Sequence, residues 1–339
     1  MVPWATINAA SSLIVPVVAL YLVSALRDEE KGWVPAILLG FVSLSMLIGI
    51  FQFSGLVIDN PLVGGAGGGV SGTFANRNHF ALLLAMGCLI GPVWAFSGNR
   101  GSGWRTPVAL ALVSAFALTI LATGSRAGIL TGLLALMIGL TLSWHHIRHA
   151  ARSAPRWVFP LLIAGVVGMV AIFILISIAA DRAESVRRAL ELDPGLGMRA
   201  RGLPTVLSMI ATYFPAGIGF GGFDPIFRIH EPLELLKRTY FNHAHNDFLE
   251  IVLDGGLPAL LLLLTALGWY AWASVKAWRM RAERCILPRL GSVMLLLVFV
   301  ASAFDYPART PIIMAIIVIA GAWLSQGATD SRSRFTKLT

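Results

Sequence analysis

The run Phe-Asn-His-Ala-His-Asn-Asp at 241–247 sets His243, His245, Asn246 and Asp247 directly before an apolar stretch. An imidazole titrates near neutral pH and can take a proton from a hydroxyl. The same residue types can also do no more than hydrogen-bond the end of a helix, and Asp247 with Glu250 three residues on has the spacing of a cap for a short helix through about Asp254. The two histidines are two residues apart, which is not the spacing of a helical metal pair. No cysteine or carboxylate motif completes a zinc site. No glycine-rich phosphate loop, GxSxG elbow or acidic metal-binding pair stands in the neighbouring stretches either.

Three further stretches put Arg, Asn or His at the end of an apolar run: "GTFANRNHFA" (72–81), "TGSRAG" (123–128) and "DYPARTP" (305–311). Near a membrane such groups line a cavity or pair with a partner. Arg77, Arg126 and Arg309 each allow two readings: a snorkelling side chain at headgroup level, or a planar guanidinium fork for phosphate. For Arg309 a structural role weighs more, because Asp305 lies four residues before it and could neutralise it. Asn76, Asn78 and His79 have the placement of a helix cap, which outweighs direct substrate contact. Arg199 and Arg201 belong to a mixed apolar and basic stretch whose default is a surface face.

Membrane-spanning elements must hold these groups. Of the 339 residues 57% are hydrophobic and 13% charged, far from the balance of a soluble domain. Apolar stretches long enough to span about 30 Å of hydrocarbon recur along the chain. Nine spans are expected, near 5–26, 33–53, 79–97, 107–123, 127–143, 157–179, 258–278, 286–304 and 311–326. They lack the alternation of barrel strands, so the fold class is all-α, a polytopic integral membrane protein. Alternate loops carry Arg27 and Lys31, then Arg100 and Arg105, then Arg148, Arg152 and Arg156, then the group from Lys276 to Arg289, then Arg332, Arg334 and Lys337. The positive-inside rule puts those loops in the cytoplasm. Orientation therefore accounts for the net charge of +9 better than nucleic acid does. Cys88 and Cys285 define no disulfide framework. The first apolar stretch has neither the basic flank nor the cleavage site of a signal peptide.

The expected organisation is membrane helices over 1–179, an outer segment over 180–257, membrane helices over 258–326 and a cytoplasmic tail over 327–339. Within the outer segment, 181–192 has the spacing of a surface helix and 197–214 that of a second. "GIGFGGF" (217–223), with four glycines in seven residues, predicts a tight irregular turn. Gly255, Gly256 and Pro258 are expected to break the helix begun at Asp247 before the next span.

The stretches "GTFANRNHFA", "GSRAG", "GIGFGGF", "YFNHAHNDFLEIVLDGGLPALLLLL" and "DYPARTP" together resemble, in order and spacing, the bacterial O-antigen ligase-like family. That family includes lipopolysaccharide O-antigen ligases, Wzy-type polysaccharide polymerases and protein oligosaccharyltransferases. The resemblance covers roughly residues 1–326. It implies a metal-independent, cofactor-free, inverting glycosyltransferase of the GT-C type in the bacterial inner membrane. Such an enzyme passes a glycan from undecaprenyl diphosphate to a hydroxyl of lipid A core, a growing glycan or a protein at the periplasmic face, in lipopolysaccharide or exopolysaccharide biosynthesis. The positions that match the family's functional residues are Arg126, Arg199 and His245, with Arg201 as the alternative second arginine. His243, Asn246, Arg77, Asn78 and Arg309 are further candidate substrate contacts. Members commonly have more spans, which implies that some lie upstream of Met1. A transporter and an inactive scaffold of a polysaccharide assembly system remain as alternatives. A transporter would carry ionisable or broken-helix features near mid-membrane, whereas here the polar groups gather at one face.

Overall fold

The computed structural model describes residues 3–54, 70–96, 103–153, 155, 157–179, 198–236, 241–280 and 286–329. The helices are α1 (Pro3–Ser11), α2 (Ile14–Ala25), α3 (Asp28–Lys31), α4 (Val34–Phe53), α5 (Arg77–Ala95), α6 (Arg105–Thr123), α7 (Arg126–Ser153), α8 (Val158–Ala179), α9 (Met198–Tyr213), α10 (Phe223–His230), α11 (Asp247–Arg279), α12 (Ile286–Ser302) and α13 (Pro311–Thr329). Short 3-10 turns occupy Leu233–Leu235 and Pro307–Arg309. No strand occurs among the described residues. Each expected span falls on helix, and six helical stretches are long and apolar enough to cross a membrane: Thr6–Ala25, Glu29–Phe53, Arg77–Ala95, Arg105–Thr123, Arg126–Arg152 and Asp247–Arg279. Two shorter apolar helices, Ile286–Ser302 and Pro311–Gln326, follow. The chain is an all-α membrane protein. The helix expected over 181–192 and the tail beyond 329 lie outside the described residues.

The chain divides into two compact units, residues 27–191 and residues 1–26 with 192–339. In the first, α5 is the centre: every residue from His79 to Val93 is buried. A helix apolar on all sides must be covered on all sides, and α4, α6 and α7 do so. In lipid, close packing rather than water exclusion holds helices together, so small residues sit at the crossings. A Cβ on Gly139 of α7 would stand 2.9 Å from the carbonyl oxygen of Leu89 on α5.

In the second unit α2 packs on α13, and α13 on α12. A hydrophobic core of Val206, Met209, Phe223, Phe227, Leu235, Phe241 and Leu253 ties α9 and α10 to the head of α11. The spine is α11, 33 residues long and bent at Gly256, whose φ of 57° and ψ of −141° lie outside helical space. The glycine-rich turn docks in that bend. Ile218 and Gly219 donate to the carbonyls of Leu253 and Asp254 at 2.9 and 2.8 Å, and Leu257 donates to Pro215 O at 2.9 Å. The turn thus satisfies backbone groups that the kink takes out of the helical ladder. Gly217 (φ 78°) is required there, since a Cβ would lie 2.5 Å from Asp254 O.

Candidate active site

The histidine loop is held from both ends. Phe241 is buried in the hydrophobic core that joins α9, α10 and the head of α11. Asn246, rather than Asp247, caps α11: its side-chain oxygen accepts from Leu249 N at 3.1 Å, while its Nδ2 donates to Ala303 O at 3.1 Å. Between them His245 has φ 52°, a left-handed conformation that costs a non-glycine residue about 1–3 kcal/mol and persists only where its surroundings hold it. Those surroundings are specific. His245 Nδ1 lies 3.0 Å from Oδ1 of Asp305, which is buried and also accepts from Tyr306 N at 3.1 Å. The ring lies against Phe241 and Tyr306, with centroids 5.9 and 5.1 Å away. With Nδ1 committed to a carboxylate, the reactive edge of the imidazole is Nε2.

Asp247, Glu250 and Asp254 share one face of α11, at i, i+3 and i+7, and they turn inward onto Arg309. The distances are 3.1 Å from Nη2 to Asp254 Oδ2, 3.3 Å from Nη1 to Glu250 Oε1 and 3.6 Å from Nε to Asp247 Oδ1. Burial disfavours the guanidinium's charge, but Glu250, Asp254 and Asp247 outweigh that and hold its pKa above the usual value. Asp247 also accepts from Ser302 Oγ at 2.8 Å and from Ala308 N at 3.1 Å, which knots α11, α12 and the 3-10 turn together. Glu250 accepts from Ala244 N at 2.7 Å and lies 2.7 Å from His243 Nδ1. Within this cluster three buried atoms, Asp247 Oδ1, Asp254 Oδ1 and Arg309 Nε, have no hydrogen-bond partner. The expected local pair of Arg309 with Asp305 is corrected. The Pro307–Arg309 turn is 3-10, not α-helical, so four-residue spacing does not bring the two side chains together, and Asp305 receives His245. Among the described residues no group of three or more His, Cys, Asp or Glu side chains is arranged for a metal ion.

In the unit of residues 27–191, the heads of α5 and α7 meet. Asn76 caps α5 as expected, accepting from Asn78 N at 2.9 Å. Ser125, directly before α7, donates to Asn78 Oδ1 at 2.7 Å and accepts from Gly128 N at 3.0 Å. Gly124, left-handed at φ 63°, turns the chain between α6 and α7. This link puts the start of α5, which is Arg77, beside the start of α7, which is Arg126. Both arginines are exposed, and neither helix has an acidic residue in its first turn.

The candidates therefore fall into two groups. His243, His245, Asn246 and Arg309 come together around α11, and Arg77, Asn78 and Arg126 come together at the heads of α5 and α7. Arg199 and Arg201 lie in the first turn of α9, where Arg201 is exposed; the side chain of Arg199 lies outside the described residues. Sequence reasoning missed Asp305 as the partner of His245. It also missed Tyr306, and it missed the inward turn of Asp247, Glu250 and Asp254. The available signal was their one-sided spacing on an otherwise apolar helix, which resembles a helix cap closely enough to be read as one.

These features define a polytopic α-helical membrane protein with a polar, histidine-bearing head on one of its longest helices. Residues 109–264 match the family model described as O-antigen ligase. That stretch runs from α6 through the kink of α11, and the match supports the resemblance to the O-antigen ligase-like family. The match supports a role of the ligase or polymerase type in polysaccharide assembly. A search of curated proteins gave no match to the chain.

Proposed function

We propose that the protein transfers a glycan from undecaprenyl diphosphate to an acceptor hydroxyl at the periplasmic face of the bacterial inner membrane, with inversion and without a metal. The observation that carries this reading is His245, held left-handed at the head of α11 with Nδ1 on buried Asp305. A carboxylate on Nδ1 fixes the tautomer and orientation of an imidazole and stabilises the cation formed when Nε2 takes a proton. His245 is then the base for the acceptor hydroxyl, and Asp305 is its positioning residue. Arg126 is read as the fork for the diphosphate, whose charge grows as the sugar leaves. Support for Arg126 comes from its setting: a helix N-terminus carries partial positive charge and favours an anion. Arg309, engaged by three carboxylates, is read as a positioning residue that holds the Asp305 turn against α11.

The test is transfer in proteoliposomes from a synthetic undecaprenyl-diphosphate oligosaccharide, followed by the loss of donor and the appearance of product. His245→Ala should lower turnover by about 10²–10⁴-fold, the usual worth of general base catalysis, and EDTA should leave the wild-type rate unchanged. Wild-type turnover that His245→Ala matches would remove the assignment.

A further inference from the structure

The loop carries a second imidazole built like the first. His243 Nδ1 lies 2.7 Å from Glu250 Oε1, as His245 Nδ1 lies 3.0 Å from Asp305 Oδ1. Both carboxylates are buried, while the imidazole side chains keep 28% and 19% of their surface open. The ring of Tyr306 touches both, at centroid distances of 4.2 Å to His243 and 5.1 Å to His245. On each histidine Nδ1 is committed and Nε2 is the remaining polar atom. A helix-end histidine needs neither a buried carboxylate nor a shared aromatic wall.

The surroundings of the two rings differ in charge. Glu250 stands with Asp247 and Asp254 around a single guanidinium, that of Arg309. Asp305 meets His245 and the Tyr306 backbone N–H. With His245 read as the base, the second imidazole, built alike beside the same Tyr306 ring, is the group left to supply the complementary proton.

We propose that His243 is the proton donor to the leaving diphosphate, working opposite His245; this rests on the glycosyl-transfer reading above. The acceptor oxygen bonds to the anomeric carbon as its proton passes to His245 Nε2. The bond from anomeric carbon to phosphate oxygen breaks, its electron pair stays on that oxygen, and the oxygen takes the proton from His243 Nε2. Release of a proton to water by His245 and uptake of one from water by His243 reset the pair, and no further reactant is needed. Glu250 is the positioning residue of this second imidazole.

The experiment is the pH profile of kcat/KM with the same undecaprenyl-diphosphate oligosaccharide, for wild type, His243→Gln and His245→Gln. A base must have lost its proton, so its limb rises with pH; a donor must have kept its proton, so its limb falls as pH rises. Wild type should give a bell. His243→Gln should lower the maximum by about 10²-fold, the low end for acid–base catalysis, and should lose the falling limb. His245→Gln should lose the rising limb. A His243→Gln enzyme that keeps the full bell overturns the proposal whatever its rate, because a merely structural histidine would scale the profile without changing its shape. Should His243→Gln fail to fold in a thermal melt, His243→Ala with added imidazole takes its place. Restored turnover in that variant supports a lost proton donor, and no restoration overturns it. Wild type that transfers nothing overturns the glycosyl-transfer reading and this inference together, whereas an unchanged bell in His243→Gln overturns this inference alone.

Discussion

Arg309 lies two residues before α13, and Arg126 is the first residue of α7, yet the two sites treat an arginine in opposite ways. Around Arg309 three carboxylates of one helix face turn inward, and the guanidinium is three-quarters buried. Around Arg126 the first turn of its helix holds no acid and the side chain is exposed, beside the bonds from Ser125 to Asn78 and from Gly128 to Ser125. The first arrangement uses up an arginine's charge to fix a loop. The second adds an arginine to the positive end of a helix, where the helix itself supplies nothing to offset it. The contrast is between a buried arginine that fixes a loop and an exposed one at a helix start.

Replacing each arginine by leucine is the strongest way to break that contrast. Arg309→Leu strands Asp247, Glu250 and Asp254 without their cation, and losing one partner of a buried ion network costs about 3–5 kcal/mol. Thermal unfolding in detergent should show a correspondingly large drop in Tm. Arg126→Leu should stay within about 0.5 kcal/mol of wild type, as exposed substitutions do, while its transfer activity collapses. Equal losses of stability in the two variants would erase the distinction.

Arg126→Lys sharpens the same point by keeping the charge and removing the fork. An ammonium is a compact point charge and cannot give two parallel hydrogen bonds to a phosphate. The expected loss in kcat/KM is roughly 10–100-fold, the worth of a hydrogen bond to a charged group. A lysine variant as active as wild type would mean that only net charge matters at this position.

Much of this protein could be read from its sequence because its strongest signals are local. The nine apolar runs fall on helix, the first of them on two, Asn76 predicts its own cap, and the four glycines of 217–223 predict the turn that fills the kink at Gly256. The quoted motifs pointed to the family that residues 109–264 match. What stayed hidden is the pairing across the sequence. His245 and Asp305 are 60 residues apart, and no periodicity links them. Asp247, Glu250 and Asp254 looked like the ordinary acidic start of a helix, because cap and cation trap use the same residue types. Arg309 seemed neutralised by Asp305 only under helical spacing, which the 3-10 turn does not provide. Local order follows from local sequence, while the choice of ion partner follows from how the helices come together.

The smallest expected effect concerns the link under Arg126. Ser125 Oγ donates to Asn78 and accepts from Gly128 N, so it does two jobs, capping α7 and joining α7 to α5. A serine cap replaced by alanine costs about 1 kcal/mol, and replaced by glycine only a few tenths. If capping is its main contribution, thermal unfolding should rank Ser125→Ala clearly below Ser125→Gly. If the bond to Asn78 dominates, both variants lose it and should fall together, and Asn78→Ala should add little to either, since one partner is already gone. The second outcome would tie the position of Arg126 to α5, and weaker donor binding, read as a raised KM, should then accompany the fall in Tm in all three variants.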